Sequence, residues 1–284
     1  TEPPCLPLEE TGCPLCGRRE HPIAIEERGW LGRRCSECAV IYISPRPPRE
    51  ATLATYQHDT AETNAFDLSE GGVAGTLHAR RVLRLAARHH GGVLGLRLLE
   101  IGPGAGFFLS EAHRQGALVA GIEPNAILAE RLRQAGMEIE EHPLDATSFA
   151  GRSFDAVFHR DVLSHLHDPV GDLRAIHQCL ADSGLLIFET GNVPDVLPEQ
   201  LRWIPDFQYP DHLYFFGEAG VRRLLTQTGF ELISLERFTL VPEARTAALM
   251  RRCMQVARGG ADARDRPAAS PAATGRTAGQ ARGP

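Results

Sequence analysis

Between Leu98 and Phe107 the chain runs Leu-Leu-Glu-Ile-Gly-Pro-Gly-Ala-Gly-Phe. An apolar strand pattern enters a glycine cluster, and a helical pattern starts immediately after it. Glycine lets the backbone turn sharply and approach a ligand closely, and a strand–loop–helix junction is where an open α/β sheet binds its ligand. The spacing rules out two cofactor loops. A nicotinamide fingerprint needs Gly-x-Gly-x-x-Gly; here the third glycine, Gly106, comes one residue early and Phe107 takes its place. A phosphate-cradling P-loop needs a lysine, and the sequence contains none. The absence of lysine also excludes Schiff-base chemistry on the protein.

Strand and helix patterns alternate around this loop. Leu96–Ile101, Leu118–Ile122, Glu138–Glu141, Phe154–His159, Gly184–Glu189 and Glu231–Phe238 read as strands. Leu77–His90, Phe107–Gln115, Asn125–Ala135, Pro169–Leu180 and Gly217–Thr228 read as helices. Strands joined by helices call for right-handed crossovers and a mostly parallel sheet with helices on both faces. The fold class is α/β, Rossmann-like. The expected organisation is a cysteine-bearing segment at 1–48, a helical linker or cap at 49–95, the α/β core at 96–258 with an insert at 191–216, and a tail at 259–284. That tail is almost devoid of large apolar residues and is expected to be disordered.

Four of the seven cysteines form Cys13-Pro-Leu-Cys16 and Cys35-Ser-Glu-Cys38. Two such knuckles supply four thiolates to one tetrahedral zinc, which leaves no open position and makes the metal structural. The expected N-terminal unit is a zinc ribbon.

Taken together, Glu100-x-Gly102-x-Gly104-x-Gly106 and the acidic Glu123 at the end of the second strand resemble the cofactor-binding motifs of class I S-adenosylmethionine-dependent methyltransferases. The resemblance spans roughly residues 75–240. It implies that the glycine loop lies under the methionine part of the cofactor and that Glu123 bridges both ribose hydroxyls. It implies further that Asp145-Ala146 meets the adenine amino group. Phe154–Pro169 resembles the family's motif IV, which assigns Arg160 to the cofactor and places His165 near the chemistry. Ser164 stands where many members carry glutamate. Tyr56 is the counterpart of N-terminal tyrosines that cap the cofactor in relatives. Tyr209-Pro-Asp211-His212-Leu-Tyr214-Phe resembles the family's Asp/Glu-His-x-x-Tyr/Phe segment, so His212, oriented by Asp211, or His165 is the candidate general base. Trp203, Tyr209 and Tyr214 in the insert would wall a substrate pocket.

A ribbon ahead of such a core resembles bacterial enzymes of small molecules, with sugar C-methyltransferases of natural-product pathways as the best-known relatives. The implied reaction is methyl transfer from S-adenosylmethionine to a small molecule. The alternatives are an RNA or protein methyltransferase that docks through the ribbon, and a noncatalytic zinc-ribbon interaction protein.

The formal net charge of −6 and the lack of a basic block argue against nucleic acid as partner. No run of 18 apolar residues exists, so no membrane span is expected. Thr1–Glu10 shows no secretory signal pattern, and cytoplasm is the expected compartment. The sequence does not fix the oligomeric state.

Overall fold

The computed structural model describes residues 7–58, 72–145, 148, 151–201, 204 and 206–237. Residues 1–238 form one compact unit. Its centre is a parallel sheet of five strands: β4 (Arg97–Ile101), β5 (Leu118–Ile122), β6 (Glu138–Glu140), β7 (Phe154–Arg160) and β8 (Leu180–Glu189), in the order β6-β5-β4-β7-β8. The first of these strands to be made, β4, lies in the middle. The connections leave it in opposite directions, and the crevice at its carboxyl end is the topological switch point.

Side chains alternate across the sheet. Leu98, Ala156 and Phe158 point to a cluster with Val82 and Leu83 of α2 (Gly72–His90), Leu109 of α3 (Phe107–Arg114) and Leu132 of α4 (Ala126–Gln134). Leu99 and Val157 point the other way, to a cluster with Leu173 and Ile176 of α5 (Pro169–Cys179). The Asp168-Pro169 pair that ends the motif IV segment starts α5. The Asp168 carboxylate accepts from the Gly171 amide at 3.0 Å, and Pro169 occupies the first turn, where its missing N–H costs nothing.

The second sheet is antiparallel and carries the cysteine knuckles. Strands β1 (Ile23–Glu27) and β2 (Trp30–Arg34) are joined by Arg28-Gly29, both at positive φ, as a two-residue hairpin turn requires. Strand β3 (Ile41–Ile43) follows, and the fourth strand, β9 (Tyr214–Phe215), comes from far downstream, pairing Ile41 with Phe215 and Tyr42 with Tyr214. The end of the expected 191–216 insert is therefore a strand of the ribbon sheet. Ile41 and Ile43 are fully buried, and each contributes about 2 kcal/mol by that burial. The apolar cluster is continuous from Cys13 and Tyr42 through Leu99 to Leu224 of α7 (Glu218–Gln227). Two further helices, α1 (Arg49–His58) and the short α6 (Pro198–Leu201), complete the described elements.

One expected strand, 231–238, is not seen among the described residues. Residues 231–237 have no regular structure. Among the described residues Leu232 packs on the core, while Ile233 is 68% exposed. Trp203, Ala146, Cys5, Cys253 and the 259–284 tail lie outside the described residues. Among the described residues no helix is long and apolar enough to cross a membrane.

Candidate active site

The glycine loop leaves β4 with Gly102, Gly104 and Gly106 all in the left-handed region, at φ 67°, 51° and 74°. Gly106 is a packing glycine, since a Cβ there would lie 2.3 Å from Leu132 of α4. Gly104 is different: among the described residues nothing lies within 4 Å of where its Cβ would be, so the middle of the loop presents bare backbone. Beside it, Glu123 leaves the end of β5 and is 5% exposed. Its two oxygens accept from the Gly104 amide (3.0 Å) and the Asn125 amide (2.9 Å). Burial raises its pKa, with the two amides pulling the other way. Each carboxylate oxygen keeps a second acceptor site, so a pair of ligand hydroxyls fits here.

Glu100, on β4 beneath the loop, is buried, and its Oε2 has no hydrogen-bond partner among the described residues. Burial pushes its pKa well up, reinforced by Glu123 and opposed by Arg160. An orphaned buried acceptor under an open glycine loop suits a cationic ligand group such as an α-ammonium. Arg160, at the end of β7, lies 3.4 Å from Asp161 and 3.9 Å from Glu189, whose carboxylate also pairs with His78 at 2.7 Å. Asp145 is exposed, in a turn where its amide donates to Ser148 Oγ at 3.0 Å.

On the other side of the crevice, residues from three distant segments converge. Tyr56 of α1 places its Oη 2.8 Å from His165 Nδ1 and 2.7 Å from Asp211 Oδ1. His165 Nδ1 also lies 3.1 Å from the Asp211 carbonyl. The rings of His165 and His212 meet edge to face, with centroids 4.7 Å apart. Burial raises the Asp211 carboxyl, but His165, Tyr56 and His212 outweigh it and hold the pKa below the ordinary carboxylate value. His212 is pushed down by burial and then by His165. An ionised Asp211 can only accept, so Tyr56 donates to it and its oxygen is left to accept from His165 Nδ1–H. That tautomer leaves a lone pair on His165 Nε2. The cluster thus unites His165, Asp211 and His212, all anticipated, with Tyr56, whose phenol meets His165 and Asp211. No local motif marks Tyr56; the resemblance to N-terminal tyrosines of relatives is its sequence signal.

Two of the three expected aromatic wall residues are spent on structure. Tyr214 is buried, and its phenol joins the Arg46 guanidinium to the His167 carbonyl (3.2 Å), because β9 turns it into the core. Tyr209 is 3% exposed and its Oη sits against Gly32 of β2.

In the ribbon, Cys13 and Cys38 sulfurs are 3.4 Å apart and Cys16 and Cys35 3.7 Å. Cys13, Cys16 and Cys35 offer their sulfurs within 4.8 Å of one another. A disulfide requires about 2.05 Å, and all four thiols are free. Sulfurs around a tetrahedral ion at about 2.3 Å stand roughly 3.8 Å apart, so the donor set fits zinc.

An open parallel sheet with a glycine loop at its central strand and a buried acid closing the next defines a nucleoside-cofactor-binding Rossmann-like protein. Comparison narrows the class: residues 73–235, more than half of the chain, match a methyltransferase domain family model, and the chain belongs to that family. The ubiquinone biosynthesis O-methyltransferase of Ruegeria pomeroyi is 33% identical over 162 residues, covering 52% of this chain and 65% of that protein. That of Dinoroseobacter shibae is 29% identical over 176 residues, covering 57% and 71%. The chain thus spans just under two thirds of the length of the first of these relatives. Among solved structures, magnesium protoporphyrin IX methyltransferase from Synechocystis PCC 6803 with bound SAH superposes with a TM-score of 0.53 at 17% identity, over 68% of this chain and 94% of that one. A Burkholderia thailandensis 1,6-didemethyltoxoflavin-N1-methyltransferase gives 0.53 at 15% identity, over 78% and 93%. The fold is that of the class I S-adenosylmethionine-dependent methyltransferases.

Proposed function

We propose that the protein transfers a methyl group from S-adenosylmethionine to a small-molecule acceptor, with Tyr56, His165, Asp211 and His212 as its acceptor side. The observation that carries this reading is the meeting of the two half-sites at the carboxyl ends of β4, β5 and β7. One half is the open Gly104 loop with Glu123; the other is a tautomer-fixed histidine. Glu100, Gly102, Gly104, Gly106 and Arg160 would face the methionine part, Glu123 the ribose, and Asp145-Ala146 the adenine. S-adenosylmethionine supplies an electrophilic methyl on a sulfonium, which an aligned nucleophile takes by in-line displacement.

The protein's part is alignment and proton removal. His165 Nε2 takes the proton from the acceptor as the new bond to the methyl carbon forms. The positive charge arising on the imidazole is met by the Asp211 carboxylate, whose Oδ1 lies 3.3 Å from His165 Nδ1, with Tyr56 bonded to both. His212, kept neutral by its surroundings, stands beside His165 as the alternative base. An acceptor with an acidic hydroxyl or carbon acid suits such a base. The O-methyltransferase relatives favour the hydroxyl; the ribbon favours a place in secondary-metabolite or sugar biosynthesis. Cys13, Cys16, Cys35 and Cys38 would hold one structural zinc.

Calorimetric titration with S-adenosylmethionine, then a screen of catechols and keto-sugars with methyl-labelled cofactor, tests the reading. Micromolar binding and label transfer abolished by alanine at both His165 and His212 are expected. Absence of cofactor binding, or undiminished transfer in the double variant, would sink it.

A further inference from the structure

Gln208 holds a left-handed conformation, φ 61°, which a side chain other than glycine rarely adopts. Such a residue persists only where its neighbours fix it. Here a single side chain fixes both flanks. The Glu27 carboxylate, at the end of ribbon strand β1, accepts from the Phe207 amide at 2.7 Å through Oε1 and from the Tyr209 amide at 3.0 Å through Oε2. The next residue of the hairpin, Arg28, reaches Asp206 at 2.7 Å, and Asp206 in turn accepts from the Gln208 amide at 2.7 Å.

What Gln208 does in that conformation is set the site. Its carbonyl accepts from the Asp211 amide at 2.8 Å and the His212 amide at 3.0 Å. The turn that aims these two residues at His165 therefore hangs on one strained carbonyl, and that carbonyl hangs on Glu27. Downstream the segment is fixed separately: the Leu213 amide donates to Ser164 at 2.7 Å, and the Leu213 carbonyl accepts from Ile43 at 3.0 Å. None of Glu27's bonds reaches the glycine loop or Glu123.

We propose that Glu27 is a positioning residue of the acceptor site, acting through Gln208 to present Asp211 and His212. This rests on the reading of Asp211 and His212 as acceptor-side groups. It gives the hairpin of the ribbon a part in the chemistry that is separate from the ribbon's metal.

The test compares Glu27→Ala, Glu27→Gln and the double variant Glu27→Ala/Gln208→Gly in the full chain. Four readouts are taken: hydrogen exchange, the ring NMR signals of His165 and His212, cofactor affinity, and turnover of the acceptor found in the screen. A carboxyl-to-methyl change removes both bonds, and a displacement of about 1 Å at a reacting group costs on the order of 100-fold. Glu27→Ala is therefore expected to lower kcat/KM for the acceptor by about 10–100-fold. It should also speed exchange across 206–213 and move both histidine signals, while S-adenosylmethionine affinity stays within about twofold. Glu27→Gln, which keeps one acceptor oxygen, should fall between. Gln208→Gly, which takes the left-handed conformation freely, should recover most of the loss.

Unchanged exchange and histidine signals in Glu27→Ala overturn the proposal. So does a parallel loss of cofactor affinity, or a glycine variant that recovers nothing. If instead alanine at Asp211 and His212 leaves turnover intact, the underlying reading of the site fails, whatever the exchange data show.

Discussion

The carbonyl of Tyr56 accepts a hydrogen bond from Asn125 Nδ2 at 3.0 Å, two residues beyond Glu123, while the Tyr56 phenol reaches His165 and Asp211. One residue of α1 is thus tied by its backbone to the cofactor half-site and by its side chain to the acceptor half-site. Asn125 is itself fixed as the N-cap of α4, accepting from the amides of Ile127 and Leu128 at 3.0 and 3.2 Å. The link is therefore rigid at its cofactor end.

Tyr56→Phe separates the two roles. The backbone bond to Asn125 survives, so S-adenosylmethionine affinity should not change. The loss of the phenol oxygen removes one partner of His165 Nδ1, while the Asp211 carbonyl at 3.1 Å and carboxylate at 3.3 Å still hold the tautomer, and kcat should fall by about 10-fold. Steady-state kinetics with both substrates varied checks this; an equal loss in cofactor affinity would assign Tyr56 to the other half-site.

Glu123→Gln keeps the shape of the side chain but halves its accepting capacity and removes its charge. Hydrogen bonds to an ionised acceptor are worth about 1.5–3 kcal/mol, so S-adenosylmethionine should bind roughly 10–100-fold more weakly. Calorimetry measures it, with circular dichroism as the control for folding.

His159 offers a stability test. It is fully buried on β7, stacked on Phe188 at 5.2 Å, with both ring nitrogens lacking a hydrogen-bond partner among the described residues. Burial drives its pKa down to about 3, against about 6.5 in the unfolded chain. Between those values the unfolded state binds a proton that the folded state refuses, so stability is lost as pH falls from about 6.5 toward 3, at up to about 1.4 kcal/mol per pH unit. His167, lowered to about 4 mainly by burial, adds a similar loss. His159→Leu should remove the His159 share and raise stability at pH 7 by about 1 kcal/mol, because two unsatisfied polar atoms leave the core. Urea unfolding at pH 7 and pH 5 decides it; parallel pH losses in the two proteins would contradict the assignment.

The purified protein should carry one zinc per chain, and Cys35→Ser should carry little. Since Cys35 and Cys38 lead directly into β3, loss of metal should also loosen the ribbon sheet and lower the melting temperature. Elemental analysis beside thermal unfolding provides the check; zinc retained in the serine variant would remove Cys35 from the ligand set.

Much of the cofactor half was legible because it is local. Gly102 to Gly106 and Glu123 lie within one strand–helix–strand unit, where spacing alone reports geometry. The cysteine knuckles were legible for the same reason. The acceptor half is assembled from α1, the turn after β7 and the segment before β9, and spacing cannot bring Tyr56 to His165. The aromatic segment misled for a related reason. Its density of aromatics suggests a pocket wall, but β9 pairs with β3 and turns Tyr214 inward. At the far end, 231–238 reads as a strand, yet of the described residues 231–237 only Leu232 packs on the core. Glu27 carried no pattern at all: its role depends on a hairpin touching a segment about 180 residues away.

The pairing of β3 with β9 also orders events in time. Ile41 and Phe215 are about 170 residues apart in the chain, and at roughly 5–20 residues per second a ribosome needs about 10–30 s to travel between them. Through that interval the emerging ribbon has its hairpin but not its fourth strand, with the apolar edge of Ile41, Tyr42 and Ile43 awaiting a partner. Removing the ribbon, or grafting it elsewhere, would therefore leave each half of the protein with a raw edge. The same seam makes the window of synthesis, rather than the finished fold, the stage at which this chain is most open to unwanted strand pairing.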